Sequence, residues 1–233
     1  AKTKHRLWFW YFGPASGRAD ARGDIVPNEI LVMVDRRTAL PADIETGGFR
    51  VVETRELASL DLSVTRLRLP VGLDAETARS ILLRRHPELL VDVHGLYRAA
   101  AAGEVLAAPD AAMRQIAWSD ALTACAGPVA VGMIDTAIDS ATRQGLGGRL
   151  VVGSFAEPGG PTDHGGVIAS LLAGGRAGPV PVLLPSGRLY AADVFGPAGD
   201  QPLGSVVAVA EALDWLVAQG VPVAGVSLEG APN

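Results

Sequence analysis

Cysteine is nearly absent from this chain. Cys125 is the only one in 233 residues, so no intrachain disulfide can form and the core must hold the fold. Its place just before an apolar run reads as a small buried side chain, not a nucleophile. Lysine is almost as scarce: Lys2 and Lys4 are the only two, and every other basic side chain is arginine or histidine. The net charge of −5 gives no electrostatic support to a general nucleic-acid role. Aromatic residues are few, yet five of the twelve form WFWYF, Trp8 to Phe12. That run is too short to span a bilayer and lacks the cleavage pattern of a secretory signal. It reads as an expression remnant, a docking segment or the end of a processed leader. The chain opens on Ala, which is compatible with prior removal of an upstream signal.

What is present is apolar surface to bury. Hydrophobic residues make up 48% of the chain, the composition of a folded protein. Residues 1–24 read as a flexible lead-in of Gly, Pro and charge. The run IVPNEILVMV (Ile25 to Val34) then predicts a strand, and PADIETG a helical turn or two ending at Gly47. FRVVETRELASLDLSVTRLRLP predicts two strands around a turn near Leu60, with Val64, Leu67 and Leu69 apolar and Arg66 and Arg68 between them. LDAETARSILLRRHPE predicts a helix with Asp74 as N-cap, Ala78, Ile81 and Leu82 on one face, and Pro87 beyond its end. LLVDVHGLYR adds a last strand. The order β-α-β-β-α-β over residues 25–98 is the ferredoxin-like pattern. His86 and His94 within it read as structural, and Arg84 and Arg85 as a solvated helix face.

Residues 99–126 turn alanine-rich and read as a linker with a short helix. From Gly127 the chain alternates strands and helices. PVAVGMID, RLVVGSF, GRLYAADVF and VPVAGVSL predict four strands. Gly165 to Ala173 and Ser205 to Gln219 predict helices, the second with Gly220 and Pro222 beyond it. Only Glu211 and Asp214 are charged in that second helix, so it should be buried on most sides. Such alternation implies a parallel sheet with helices on its faces. Ending near Ser227, this sheet would leave an apolar edge, so further polypeptide is expected to complete it.

Two residues lie where open α/β sheets collect functional groups, at the carboxyl ends of strands. Asp135 directly follows VAVGMI. His164 opens a helix after a glycine-rich loop. A carboxylate on one imidazole nitrogen fixes the tautomer and leaves the other nitrogen to take a proton. A metal reading would recruit Asp135, Asp139, Asp163 and His164, but no His-x-x-x-His or Cys pair supports it. Asp139 reads as a helix or turn cap. The GLGG run, Gly145 to Gly148, precedes a strand instead of joining a strand to a helix, so it makes a poor phosphate loop.

These segments resemble the subtilisin-like serine proteases. VAVGMIDTAID is similar to the family's aspartate segment, HGGVIASLLAG to its histidine segment, LYAADVFG to the strand that follows, and LDWLVAQGVPVAGVSLEG to the helix and substrate-binding strand. VPNEILVMV together with HPELLVDVHGLYR resembles the inhibitory propeptides that precede such enzymes. The resemblance implies a propeptide-like inhibitor domain at 25–98, an activation-cleavage region within 99–126, and the N-terminal part of a catalytic domain at 127–233. It implies an α/β fold: a subtilisin-like parallel sheet, incomplete C-terminally, after a ferredoxin-like α+β unit. Asp135 would orient His164, and His164 would be the general base. Ser227, Leu228, Glu229 and Gly230 would form a wall that pairs with extended substrate. The propeptide would cover helices of the catalytic part and thread the segment near Arg98 to Ala108 through the active site, aiding folding and blocking access.

The family's nucleophilic serine, in a Gly-Thr-Ser-x-Ala segment, is missing, so the implied endopeptidase needs the other half of its catalytic domain, on a second chain or in a missing segment. Three departures stand out: Ala137 where the pattern has Gly, Gly166 where it has Thr, and Glu229 where it has Gly. Glu229 facing the pocket would favour basic substrate side chains; facing solvent, it is a surface acid. The departures at Ala137 and Gly166 favour an alternative, an inactive subtilase-like binding module. The partner in either case is a peptide or protein, with no nucleic acid and no membrane span. No cofactor is expected, structural calcium is left open, and the implied location is secreted or periplasmic.

Overall fold

The computed structural model describes residues 25–100, 117–119, 127–174, 182–197 and 203–230. Cys125, the aromatic run Trp8 to Phe12 and most of the linker lie outside them. Two sheets organise the chain, one antiparallel and one parallel.

The antiparallel sheet comes mainly from the first hundred residues. Its elements are β1 (Ile25–Asp35), α1 (Asp43–Thr46), β2 (Arg50–Leu57), β3 (Leu62–Arg68), α2 (Ala75–Arg85) and β4 (Leu90–Ala99). In space the strands run β4-β1-β3-β2. Asp74 caps α2 as expected, accepting from Thr77 N at 2.9 Å. The two faces of the sheet carry different cores. Ile30, Val32, Leu67, Leu69 and Val91 pack on Ile44 of α1 and Ala78 and Leu82 of α2. Leu31, Leu57 and Val64 face the other way. Val64 therefore does not share a face with Leu67 and Leu69. Odd and even positions point to opposite sides of a strand, and here both sides are buried.

The parallel sheet has the order β6-β7-β5-β9. Its strands are β5 (Ala130–Asp135), β6 (Leu150–Ser154), β7 (Arg188–Asp193) and β9 (Ala224–Val226). Between them lie α3 (Ser140–Leu146), a 3-10 turn (Gly147–Arg149), α4 (Asp163–Ala173), the short strand β8 (Gly204–Ser205) and α5 (Val206–Ala218). Ile134, Tyr190 and Ala192 pack against Ala208, Ala212 and Leu216 of α5. On the opposite face Met133, Leu189 and Ala191 meet Leu146 of α3 and Ala169 and Ala173 of α4. Helices thus cover both faces. No residue of α5 before Ala218 is exposed, because its outer side meets the antiparallel sheet, where Val207 completes the cluster of Leu31, Leu57 and Val64. None of the helices is long and apolar enough to cross a membrane, among the described residues.

The two sheets are tied at three further places. Asp214 of α5 accepts from Ser59 N and Leu60 N at 2.7 and 2.9 Å, fixing the β2–β3 turn onto the helix. Arg55 lies 3.5 Å from Glu211. The tail of β4 pairs with β8 (Leu96 with Ser205, Tyr97 with Gly204) and with β10, Leu228–Glu229.

Candidate functional site

Asp135 is the last residue of β5 and is fully buried. Its Oδ1 accepts from the Thr136 backbone N–H at 2.6 Å and lies 2.7 Å from His164 Nδ1. His164 is the second residue of α4, which starts at Asp163, two residues before the expected Gly165. An ionised Asp135 makes Nδ1 the donor, so the proton sits there and Nε2 is the basic nitrogen. The ring keeps 16% of its surface exposed against 1% for the carboxylate. The carboxylate is sealed while the imidazole stays partly exposed.

Local packing sets that distance. The Gly165 backbone N–H donates to Thr136 Oγ1 at 2.8 Å, which pins the start of α4 to the end of β5. A Cβ on Gly165 would overlap the Thr136 carbonyl oxygen, a backbone atom that cannot step aside. Gly166 faces Asp139 Oδ2, where a Cβ would stand 2.5 Å away. Asp139 caps α3 through Thr142, accepting from its N and Oγ1 at 2.9 and 2.6 Å. Those bonds hold the Asp139 carboxyl below its usual range. The glycine at 166 is thus the residue that fits beside this cap.

Ser227 to Gly230, the residues expected to pair with substrate, leave β9 beside the same edge. Ser227 N donates to Ile134 O at 3.4 Å, one residue before Asp135. Its carbonyl accepts from Ala100 N at 3.1 Å. Leu228 stands opposite Ala99 and Glu229 opposite Arg98, antiparallel. The register continues to Gly230, where a Cβ would lie 2.7 Å from Tyr97 Cδ1. One residue of a strand has a single partner on each edge, so Tyr97, paired with Gly204 and facing Gly230, places the tail of β4 between β8 and β10. All six residues expected at the site, Asp135, His164 and Ser227 to Gly230, therefore gather at the carboxyl edge of the parallel sheet.

The sequence reading missed three groups there. Thr136 supplies the hydroxyl that anchors α4. Asp193 ends β7 directly beside Asp135 in the register, and Ser154 ends β6 beside Asp193. Burial pushes the Asp193 carboxyl up, and the Asp135 charge adds to that; Phe195 N, Ser154 and Arg143 oppose it. The signal was available, since LYAAD ends in an acid just as VGMID does. Among the described residues, no group of three or more His, Cys, Asp or Glu side chains is placed to hold a metal ion. No family model matches this chain, and no curated protein matches it.

Proposed function

We propose that this chain carries the acid and base of a subtilisin-type serine endopeptidase together with its own inhibitory N-terminal unit. The observation that carries the reading is the 2.7 Å contact between His164 Nδ1 and buried Asp135 at the carboxyl edge of a parallel sheet. In such a triad the carboxylate orients the imidazole and stabilises the imidazolium, while Nε2 takes the serine proton as the oxygen attacks the peptide carbonyl. The same nitrogen then delivers that proton to the leaving amine. The β4-β1-β3-β2 sheet order supports a ferredoxin-like propeptide, and the parallel sheet with helices on both faces supports a subtilisin-like catalytic part. The extended tail of β4, which pairs with Ser227 to Glu229, supports a propeptide whose end occupies the strand that would receive substrate. A folded unit that binds this way blocks the groove and stabilises the form it binds. The nucleophile comes from polypeptide beyond these 233 residues, and the setting is an exported zymogen.

A fluorophosphonate probe on the natural protein, with mass spectrometry of every polypeptide present, tests this. Labelling of a serine outside this chain is expected, slowed about 10⁴-fold by His164→Ala. Absence of label on every polypeptide overturns it. One observation favours a second reading, an inactive strand-binding module: among the described residues no serine hydrogen-bonds to His164. That reading predicts no labelling and an undiminished grip on extended peptides.

A further inference from the structure

The pairing of the β4 tail with β10 also sets particular side chains opposite one another. Directly opposed residues of antiparallel strands project from the same face, with Cβ atoms about 4.5–5.5 Å apart. Arg98 and Glu229 are such a pair, of opposite charge. Tyr97 and Gly230 are the next, on the other face. The Tyr97 ring lies where a Gly230 side chain would be, with Cδ1 and Cε1 at 2.7 and 2.8 Å from a Cβ built there. Burial pushes the Tyr97 phenol up, with the Asp92 charge adding to the shift. Glu229 itself is exposed, so it is available to a side chain arriving from outside.

We propose that Glu229 is a specificity-determining residue of this groove and selects extended peptides with a cationic side chain opposite it, preceded by an aromatic residue that lies on Gly230. The preferred sequence is then aromatic, basic, small, small, as Tyr97-Arg98-Ala99-Ala100 is in the chain itself. Both preferences have a local cause. The carboxylate replaces nothing with charge at a position that faces the incoming strand, and Gly230 leaves a shelf that any Cβ would remove. This inference rests on Ser227 to Gly230 being the strand that receives substrate; it does not require the chain to be an active enzyme.

The test uses the full chain and two synthetic peptides, Gly-Leu-Tyr-Arg-Ala-Ala and Gly-Leu-Tyr-Glu-Ala-Ala. Hydrogen exchange at the Ala100 amide, which is bonded to Ser227 O, reads how firmly the chain's own tail is held. Arg98→Glu and Glu229→Arg should each speed that exchange about 2- to 5-fold, and the double reversal should restore it. Binding of the labelled peptides to the Arg98→Glu chain, whose own tail is loosened, should favour the arginine peptide by a similar factor. Adding Glu229→Arg should invert the ranking, and Glu229→Gln should flatten it. Identical rankings in all three backgrounds overturn the proposal. Failure of the peptidase reading would appear differently, as no fluorophosphonate labelling with the peptide rankings intact.

Discussion

Among the described residues two histidines lie against a buried carboxylate, one in each sheet, and their surroundings differ. In the antiparallel sheet His94 Nδ1 lies 2.9 Å from Glu29 Oε2. In the parallel sheet His164 Nδ1 lies 2.7 Å from Asp135 Oδ1. The surroundings separate them. Glu29 also receives both Arg66 Nε and a terminal Arg66 nitrogen at 3.1 Å, a bidentate clamp. His94 is sealed, its side chain 5% exposed, and its Nε2 is buried without a partner. Among the described residues Asp135 has no arginine or lysine at contact distance and keeps Oδ2 unpartnered, and its histidine side chain stays 16% exposed. A histidine oriented by a carboxylate is therefore not itself a site. The ring's far nitrogen must be reachable, and the acid's charge must not be spent on an arginine.

The sharpest way to break the comparison is to remove each acid's role in turn. Glu29→Ala would leave Arg66 and His94 without their shared counter-charge inside the sheet. A loss of about 3 kcal/mol of stability is expected, read by urea unfolding of the full chain, because His94 Nδ1 is left unsatisfied inside the sheet and Arg66 keeps only Glu53. Gly165→Ala should act on the other pair. Alanine is the better helix former by about 1 kcal/mol, but its methyl meets the Thr136 carbonyl and forces α4 off β5. About 1–3 kcal/mol of overpacking cost is expected, together with loss of the downfield His164 Nδ1 proton signal in NMR spectra. Retention of that signal would mean the distance to Asp135 is set elsewhere.

Acid should separate the two regions more gently. Burial is the main cause that holds the His94 pKa down, with the Arg66 charge adding and Glu29 opposing. A histidine with a depressed folded pKa contributes stability above its unfolded value of 6.5, and that stability drains as pH falls below it. Glu29 points the same way at lower pH. Burial alone would raise it, but the hydrogen bonds and charges of His94 and Arg66 outweigh burial and lower it from 4.5. Asp193 points the opposite way, since its raised carboxyl pKa lets protonation relieve the cost of burial. Hydrogen exchange corrected for its own pH dependence should therefore show β1, β3 and β4 loosening between pH 7 and 5 while β5 and β7 do not. Equal loosening of both sheets would remove the distinction.

Much of this was legible locally. Asp74, Asp139 and Ser205 announce helix starts, and all three accept from the backbone three residues on. The near absence of charge in α5 foretold its burial on both sides. Asp135 and His164 drew notice because each stands at the end of an element, and the structure places them 2.7 Å apart. What escaped was long-range. The residues Tyr97-Arg98-Ala99 do not themselves signal a partner strand at Leu228–Glu229, because pairing register depends on where two distant segments dock; only the family resemblance led to the expectation that the chain near Arg98 meets Ser227 to Gly230. Val64 escaped for a related reason: a strand buried on both faces shows no clean alternation. The Glu29–His94–Arg66 cluster escaped because its members come from three strands, and each alone looks like an ordinary surface residue.

The β4 tail has a consequence for concentration. It ends its pairing with Ser227 at Ala100 and is joined to β5 by residues 101–129 of the same chain. While that connection is whole, the tail and the strand it pairs with belong to one molecule, so their pairing does not depend on protein concentration. Under the proposed activation, a single cut between them would make the pairing bimolecular. Before such a cut occupancy is the same at any dilution; after it, the volume into which the N-terminal unit escapes would decide how much of the strand is free.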